Sequence, residues 1–428
     1  MKSLISTVTE KETERTYLVG AEFRSRTDVS IEESLDELAE LAKTAGADVV
    51  ASAMQRLEKP NPATFVGAGK AVEIAGECKA LKIDTVIFDD ELSPAQSRNL
   101  EELFQCKILD RTNLILDIFA SRARTKEGKL QVELAQLRYL LPRLTGYWTH
   151  LSRQKGGIGM RGGEGESQLE VDRRKINERI DKLERELKSV RKQRETQRRG
   201  RRRHQWPLAS LVGYTNAGKS TLFNELTGAE VLQEDQLFAT LDPTTRRLQL
   251  PTNQNVLLSD TVGFIRKLPH RLVEAFKATL EEVTEADLLL HVVDVTHPHA
   301  EHHIDAVNEV LKEIGADDKP TLLVFNKIDL FERSGHANQW LARFENSFAV
   351  SAKTQEGFEG LFEELGAALR PIRRCLDLSV PHEDSAVMAR LHEVGQVLEK
   401  DYNGEKAYLK VQVPPHLVAE FEPYVLME

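Results

Sequence analysis

The chain has 428 residues and a formal net charge of -10, from 58 basic and 68 acidic side chains. A hydrophobic content of 40% excludes wholesale disorder, and no apolar run reaches the roughly 18 residues that a membrane span requires. The polar start excludes a secretory signal, and three cysteines without a CxxC pair favour a cytoplasmic protein without a zinc ribbon.

The charge is unevenly distributed along the chain. Residues 122–203 hold 24 Lys and Arg against 11 Asp and Glu, a local charge of +13, so the remainder carries -23. Such asymmetry predicts a basic interaction segment on an acidic body. Together with the changes of pattern described below, it suggests four parts, namely residues 1–125, 126–205, 206–372 and 373–428.

Residues 1–125 are predicted to form a small α/β domain. The stretches TYLVGAEF, ADVVASAM and TVIFDD are typical of strands, whereas residues 31–44 and 69–81 have helical patterns. Ser93 and Pro94 are placed to start a third helix, because serine caps helices and proline fits the first helical position. Alternating strands and helices favour a parallel sheet.

Residues 126–205 are predicted to form an antiparallel helical hairpin. Two apolar stripes at helical spacing flank residues 156–165, which contain six glycines and cannot be the interior of a helix. Pro142 lies inside the first stripe and should kink or locally unwind that helix. A structural coiled coil without a ligand is the alternative interpretation. The stripes are Leu130, Leu134, Leu137, Leu141, Leu144, Trp148 and Leu151, then Ile176, Ile180, Leu183, Leu187 and Val190.

The hairpin carries the basic excess. Its second helix ends in RKQRETQRRGRRRHQW, and glycines surround several cations at the tip. Glycine allows close approach of a backbone to a ligand, and arginine binds phosphate in a bidentate manner, so contact with RNA is favoured over a merely solvated face. Whether residues 198–203 contact RNA or only link two domains is left open. The candidate RNA-binding residues are Arg153, Lys155, Arg161, Arg173 and Arg174.

A phosphate-binding loop is predicted at residues 213–220 (GYTNAGKS), which match GxxxxGK[ST]. The motif directly follows the apolar strand LASLV and precedes the helix-like LFNEL, which is the context that supports it. Backbone N–H groups and the helix N-terminus would surround the phosphates. Lys219 would reach the β- and γ-phosphates, and the Ser220 hydroxyl would bind Mg²⁺.

Four further motifs follow in the order found in GTPases. Asp260 would hold Mg²⁺ through a water, and the Gly263 N–H would sense the γ-phosphate. Thr240 would complete the Mg²⁺ shell, with Thr244 and Thr245 as alternatives. The Asp329 carboxylate can accept from guanine N1–H and the exocyclic amine, a donor pair that adenine lacks, so the motif selects GTP. The Ala352 N–H would bond guanine O6.

The complete predicted nucleotide site extends over about 140 residues. Five motifs in the right order make a chance match implausible, and the fold class is therefore α/β with a phosphate-loop GTPase domain at residues 206–372. The predicted nucleotide-binding residues are Gly213, Tyr214, Thr215, Asn216, Ala217, Gly218, Lys219, Ser220, Thr221, Phe238, Ala239, Thr240, Leu241, Asp242, Asp260, Thr261, Val262, Gly263, Asn326, Lys327, Ile328, Asp329, Ser351, Ala352 and Lys353.

No catalytic residue for hydrolysis is certain. Phe264 follows the DxxG motif, where many GTPases have a glutamine that orients the attacking water. A phenyl ring cannot do this, so we expect slow turnover that a partner stimulates. The combination of Asn216 with a hydrophobic residue after DxxG resembles the pattern found in potassium-activated GTPases. K⁺ bound near Asn216 is therefore a hypothesis.

Two remaining features of the sequence do not indicate a function. His297, His299, His302 and His303 could suggest a metal site, but a solvated face at a helix start is the better interpretation. From residue 373 onward, a helical pattern at 384–401 and the strand-like AYLKVQV predict a small α+β domain.

These motifs resemble the HflX family of ribosome-associated GTPases. The resemblance runs from about residue 60 to 355. One departure is the loop at residues 161–167 (RGGEGES), which is one residue longer than the usual RGPGET and lacks its proline, so we expect a more flexible tip. The other matching stretches are FVGAGK at 65–70, LSPAQ at 92–96, RNLE at 98–101, DRTNLILDIF at 110–119, RART at 122–125, EGKLQVELAQ at 127–136, LE at 169–170, DRR at 172–174 and GYTNAGKS at 213–220.

The resemblance implies a GTP-hydrolysing factor that binds the large (50S) ribosomal subunit and splits or rescues stalled ribosomes. The hairpin would contact ribosomal RNA, Mg²⁺ would be the cofactor, and the free protein would be a monomer. The family is also reported to use ATP and to remodel RNA. Alternatives are therefore a nucleotide-driven RNA remodeller, a ribosome-biogenesis GTPase, and a GTPase scaffold that binds only proteins.

Overall fold

The computed structural model describes residues 13–23, 30–154, 164–204, 206–228, 237–238, 240–252, 254–267, 280–331, 335–369, 374–403, 406–413 and 417–426, without the side chains of 145–154, 164–169, 191, 193–204 and 335–336. It divides into two compact units. One comprises Met1–Ala123 and Lys129–Arg185, and the other comprises Arg124–Gly128 and Glu186–Glu428. None of the described helices is long and apolar enough to cross a membrane.

The first unit alternates strands and helices, as predicted. Its elements are β1 (Arg15–Phe23), α1 (Ile31–Thr44), β2 (Asp48–Leu57), α2 (Ala68–Leu81), β3 (Thr85–Phe88), α3 (Pro94–Phe104), β4 (Lys107–Asp110) and α4 (Arg111–Arg122). The four strands form a fully parallel sheet in the order β2-β1-β3-β4. The strand β1 is buried over most of its length, as expected for a central strand of a parallel sheet.

Local capping explains where two of these helices begin. The Ser93 hydroxyl accepts from the Gln96 N–H at 3.3 Å, and the Gln96 side chain accepts from the Ser93 N–H at 2.9 Å. This capping box confirms the predicted start of α3, with Pro94 at its first position. The helix α4 follows β4 directly because the Asp110 carboxylate accepts from the Asn113 N–H at 2.9 Å.

A buried arginine connects three elements of this unit. Arg111, at the start of α4, is 2% exposed and donates to Asp89 and Glu37, each at 2.8 Å. Asp89 directly follows β3, and Glu37 lies on α1. Removing one partner of such a buried network leaves an uncompensated charge, which costs about 3–5 kcal/mol.

Two long helices follow, α5 (Lys126–Gln154) and α6 (Glu164–His204). Both predicted helices are present. The Arg179 guanidinium bonds the Glu133 carboxylate at 2.7 and 2.8 Å, and Arg138 bonds Glu184 at 2.7 Å. The helices therefore contact each other as a hairpin requires. The antiparallel direction stays a prediction, and the glycine-rich tip at 155–163 lies outside the described residues.

Pro142 does not interrupt α5. The helix is continuous from Lys126 to Gln154, so the predicted local unwinding does not occur, and a kink at Pro142 stays a prediction. Three leucines of the apolar stripes are buried. Leu130 is 7% exposed, Leu134 is 5% exposed and Leu183 is 0% exposed. Burial of these leucines stabilises the two helices, because packing of an apolar face supplies most of the stability of helices in proteins.

The second unit contains a six-stranded sheet in the order β10-β9-β8-β5-β7-β6. All neighbouring pairs are parallel except β6 with β7. The predicted strands LASLV, NVLLS, TLLVF and SFAV are its β5, β7, β9 and β10. Its elements are β5 (Leu208–Gly213), α7 (Lys219–Thr227), β6 (Thr244–Gln249), β7 (Asn255–Asp260), α8 (Glu281–Thr284), β8 (Leu288–Asp294), α9 (Ala300–Ile314), β9 (Thr321–Asn326), α10 (Gly335–Arg343), β10 (Ser347–Ala349) and α11 (Phe358–Ala368).

The end of the chain forms a small α+β part, as predicted, but one boundary was wrong. The helix predicted over 384–401 ends at Val394, because Gly395 is extended and the chain continues as a strand. The antiparallel sheet has the order β11-β13-β12. Its elements are β11 (Arg374–Pro381), α12 (Ser385–Val394), β12 (Gln396–Asn403), β13 (Lys406–Val413) and α13 (Val418–Phe421).

Candidate nucleotide-binding site

The predicted motifs meet at the carboxyl ends of parallel strands in the second unit. The phosphate loop follows β5, residues 260–263 (DTVG) begin at the end of β7, and residues 326–329 (NKID) begin at the end of β9. Residues 351–353 (SAK) follow β10. This edge is where open α/β sheets bind ligands, because loops and helix N-termini converge there.

The backbone of the phosphate loop adopts conformations that few residues tolerate. Gly213 and Gly218 have φ angles of 149° and 89°, and Asn216 has a φ of 61°. A Cβ atom at Gly213 would clash with the Val292 carbonyl, and one at Gly218 would clash with the Asn326 amide. Glycine is therefore required at the two ends of the loop, while asparagine is among the residues that tolerate the left-handed region.

The phosphate loop is also bonded to the chain that follows DTVG. The Thr215 N–H donates to the Phe264 carbonyl at 2.8 Å, and the Phe264 N–H donates to the Gly213 carbonyl at 3.1 Å. The Phe264 side chain is 1% exposed and lies in the core. Its ring offers no hydrogen bond to an attacking water, as predicted.

Lys219 is the buried cation of the site. The residue is 6% exposed, and its ammonium donates to the carbonyls of Gly213 at 3.1 Å and Tyr214 at 2.7 Å. Burial lowers the pKa of this ammonium to about 8, and the nearby Asp260 opposes the decrease. Nucleotide phosphates would supply the negative charge that stabilises the protonated form.

Three oxygen-bearing side chains meet at the predicted Mg²⁺ site. The Ser220 hydroxyl lies 2.7 Å from Asp260 Oδ2 and 2.9 Å from the Thr240 hydroxyl, which itself lies 3.0 Å from Asp260 Oδ2. The structure thus brings the three predicted ligands together, and Thr240 rather than Thr244 or Thr245 is the threonine among them. Mg²⁺ prefers such oxygen ligands.

The carboxyl of Asp260 fits this metal. Burial raises its pKa, opposed by hydrogen bonds from Ser220 and Thr240 and by the charge of Lys219. Its Oδ1 atom is buried without a hydrogen-bond partner in the described part of the chain. A cation, with its water shell, would stabilise this ionised carboxylate. Ser220 and Thr240 would bind Mg²⁺ directly and Asp260 through a water; the ion would neutralise phosphate charge.

The base side of the site is organised by Asn326. Its amide donates to the Ala217 carbonyl at 3.0 Å, and its Oδ1 accepts from the Ala352 N–H at 3.0 Å. The predicted bond from Ala352 to guanine O6 would therefore replace one that already exists. The Ser351 hydroxyl donates to Asp329 Oδ1 at 2.7 Å and so orients the carboxylate that was predicted to select guanine.

A stack of aromatic rings beside the phosphate loop was not predicted. Tyr214 stacks on His303 with ring centroids 3.8 Å apart and an interplanar angle of 4°, and His297 lies 4.3 Å from His303. The Tyr214 hydroxyl accepts from the Arg266 N–H at 3.0 Å. Burial is the main cause that lowers the pKa of His303 to about 3. His303 is thus a half-buried ring packed on Tyr214 rather than part of a fully solvated face.

Asp242 contacts the beginning of α5. Its Oδ2 accepts from the Arg124 and Thr125 N–H groups, and its Oδ1 accepts from the Thr125 hydroxyl. The carboxylate predicted to belong to the nucleotide site is thus bonded to protein. No sequence pattern predicted that residues 118 positions apart would meet.

The other predicted residues divide into buried and exposed groups. Phe238, Leu241 and Val262 are at most 6% exposed, so their side chains are buried in the protein. Ala239 lies outside the described residues, as do Lys155, Arg161 and the side chain of Arg153. The Thr261 side chain is buried, and its hydroxyl donates to the Leu211 carbonyl at 2.5 Å. The Lys327 ammonium lies 2.7 Å from Asp294 Oδ2. The half-buried or exposed remainder is Thr221, Lys327, Ile328, Lys353, Arg173 and Arg174.

Three family models match successive parts of the chain. Residues 32–120 match the N-terminal region of GTP-binding GTPases, and residues 122–201 match their middle region. Residues 209–327 match the 50S ribosome-binding GTPase model. The third match contains the phosphate loop, both predicted Mg²⁺-binding hydroxyls and Asp260.

Similar proteins cover nearly the whole chain. GTPase HflX of Magnetococcus marinus is 48% identical over 92% of this chain and 91% of its own length. GTPase HflX of Escherichia coli is 50% identical over 89% of both chains. Among solved structures, SsGBP in complex with GDP is 28% identical, covers 83% of this chain and 98% of that one, and superposes with a TM-score of 0.47.

Proposed function

This chain belongs to the HflX family of GTPases, and from that premise we propose that it is a GTP-gated factor of the large (50S) ribosomal subunit. It binds GTP and hydrolyses it to GDP and phosphate. In the proposed cycle the GTP form binds the subunit and splits or rescues stalled ribosomes. Hydrolysis then weakens binding and releases the protein, which is a cytoplasmic monomer when free.

The observation that carries this proposal is the match of residues 209–327 to the 50S ribosome-binding GTPase model. The basic helices support it, because 24 cations lie among only 11 anions over residues 122–203. Arg173 and Arg174 are exposed on α6, where they are available to phosphates. Ribosomal RNA offers many phosphates, which makes binding strong and dependent on salt. A partner made only of protein would not require this excess of basic residues.

Slow hydrolysis and activation by K⁺ are further parts of the proposal. Phe264 is buried and cannot orient water, so the free protein should turn over slowly and the ribosome should accelerate it. Asn216 is exposed, with its backbone in the left-handed region. In the proposal, its side-chain oxygen would bind a monovalent cation beside the phosphates. Equal rates in KCl and NaCl, with and without ribosomes, would contradict the role of K⁺.

Sedimentation with ribosomes tests the proposed partner. The purified full-length protein is mixed with 50S subunits in GMPPNP, in GDP and without nucleotide, then centrifuged. We expect a subunit-bound fraction in GMPPNP that decreases in GDP and at high salt. No bound fraction, or binding that ignores the nucleotide, would overturn the proposal in favour of an RNA remodeller or a protein scaffold.

Shortening the tip tests the role of the hairpin. A variant without residues 153–165 should lose ribosome splitting. Splitting is measured as the separation of 70S particles into subunits. Its hydrolysis without ribosomes should stay within about twofold, because the nucleotide site lies in a different unit. Comparable loss of both activities would contradict separate roles for the two regions.

A further inference from the structure

The Asp242 carboxylate is bonded to the start of α5 by three hydrogen bonds within the second unit. The N–H groups of Arg124 and Thr125 donate to its Oδ2 at 2.9 and 2.8 Å. The Thr125 hydroxyl donates to its Oδ1 at 2.5 Å. Hydrogen bonds to an ionised acceptor are stronger than neutral ones, so this contact favours one arrangement of the two segments.

The same residues cap α5. The helix begins at Lys126, and the Thr125 hydroxyl accepts from the Gly128 N–H at 3.0 Å, as an N-cap residue does. A Cβ atom at Gly128 would clash with Asp242 Oδ1, so glycine leaves the space that the carboxylate occupies. A negative charge at this end also compensates the positive end of the helix dipole. The beginning of α5 therefore favours a bound anion, and the Asp242 carboxylate is that anion.

Asp242 is two residues from the predicted Mg²⁺ ligand Thr240. The Thr240 hydroxyl contacts Ser220 and Asp260. Leu241 lies between them and is 2% exposed. Two residues span only a few ångströms, so a fixed Asp242 restricts where the Thr240 hydroxyl can lie.

We infer that Asp242 is a positioning residue, which acts through Thr240 to hold the metal site in its GTP-binding form. The bonds to Arg124 and Thr125 limit the freedom of the loop and so lower the entropic cost of placing Thr240 on Mg²⁺. The effect is reciprocal, because a nucleotide that favours this placement also favours the capped start of α5. The inference rests on the proposed role of Thr240 at Mg²⁺.

The alternative is a cap that only stabilises the fold. Such a cap would not distinguish GTP from GDP, since its bonds would be present in both states. Positioning through Thr240 acts only where the threonine binds the metal, which is the GTP state in switch-type GTPases. A comparison of the two nucleotides therefore separates the two roles.

Nucleotide affinities of full-length variants provide the first test. In Asp242→Ala, we expect the affinity for GMPPNP with Mg²⁺ to decrease about tenfold and the affinity for GDP to change less than twofold. The matched control is Asp317→Ala, an exposed aspartate after α9, which should change neither. Equal losses for both nucleotides would show a structural cap only, and unchanged GMPPNP affinity would also overturn the inference.

Thr125→Val provides a milder variant, which removes only the hydroxyl. We expect a smaller decrease in GMPPNP affinity, and no further decrease when Thr125→Val is added to Asp242→Ala. Additive losses would mean that the two residues act independently. Thr240→Ala tests the premise separately, because it should lose GMPPNP affinity even with Asp242 intact.

Hydrogen exchange provides the direct structural test. In the parent protein, amides of residues 122–130 should exchange more slowly with GMPPNP than with GDP, and Asp242→Ala should remove the difference. Equal exchange in the two nucleotide states of the parent protein would contradict the inference. These measurements contain no ribosomes, so their failure would leave the proposed ribosomal function to be judged by sedimentation.

Discussion

The phosphate loop and the paired helices α5 and α6 both depend on positive charge, but they use it in opposite ways. Lys219 is 6% exposed and bonded to two carbonyls of its own loop. Arg173 and Arg174 are exposed on α6. A buried charge in fixed geometry can recognise one ligand closely, whereas exposed charges on a helix attract any polyphosphate and are screened by salt. In the proposed function, specificity for the nucleotide and affinity for RNA would therefore reside in different regions.

Removal of the buried cation should have the largest effect. Lys219→Ala should lower the affinity for GTP by about 100-fold, or about 2.7 kcal/mol, because a charge-assisted contact to the phosphates disappears. Fluorescent nucleotide titration measures this loss. The matched variant Lys312→Ala changes an exposed lysine on α9, outside the predicted nucleotide site, and should stay within about threefold. Equal effects of the two substitutions would remove the distinction between buried and exposed cations.

The same cation should make nucleotide binding depend on pH. Burial lowers the pKa of Lys219 to about 8 in the free protein, and bound phosphates raise it, so binding takes up a proton above that pH. Affinity for GTP should therefore decrease about tenfold between pH 7 and pH 9. Titration at several pH values measures the decrease, which Lys219→Ala should abolish. An equally steep decrease in the variant would assign the proton to another group.

The position of Lys219 was predictable from the sequence because the loop around it needs an unusual backbone, whereas its lowered pKa follows only from its burial in the fold. Gly213 and Gly218 occupy φ angles that other residues avoid, so the motif can hardly vary without losing the geometry. The parallel strands before each motif were equally evident from their apolar runs. Contacts between distant segments outside these motifs were not predictable. The stacking of Tyr214 on His303 and the bonds of Asp242 to Thr125 arise from tertiary packing that leaves no periodic pattern.

The exposed arginines should have a moderate effect that appears only with the ribosome. Replacing Arg173 and Arg174 by Gln should weaken 50S binding several-fold and reduce the slope of log affinity against log salt by about one per lost phosphate contact. Nucleotide affinity should not change. Binding is measured by sedimentation at several salt concentrations. A lower affinity with an unchanged salt slope would indicate a protein partner at this face.

The ion pair between the two helices should have the smallest effect. Arg179 and Glu133 are 41% and 40% exposed, so a double-mutant cycle should give a coupling of about 0.2–1 kcal/mol in the free energy of unfolding. Urea denaturation of the four proteins measures it. A coupling above about 2 kcal/mol would mean that this pair behaves like the buried Arg111 network. The exposed charges of the helices would then be structural rather than available for RNA.

The central claim is that the nucleotide and the large ribosomal subunit bind the same state of the protein. Linkage requires that if GMPPNP strengthens subunit binding, the subunit strengthens GMPPNP binding by the same factor. The direct measurement is the affinity for GMPPNP and for GDP, with and without saturating 50S subunits. We expect GMPPNP to bind at least about tenfold more tightly in their presence, with GDP unchanged or weakened. Equal effects on both nucleotides, or none, would contradict the claim.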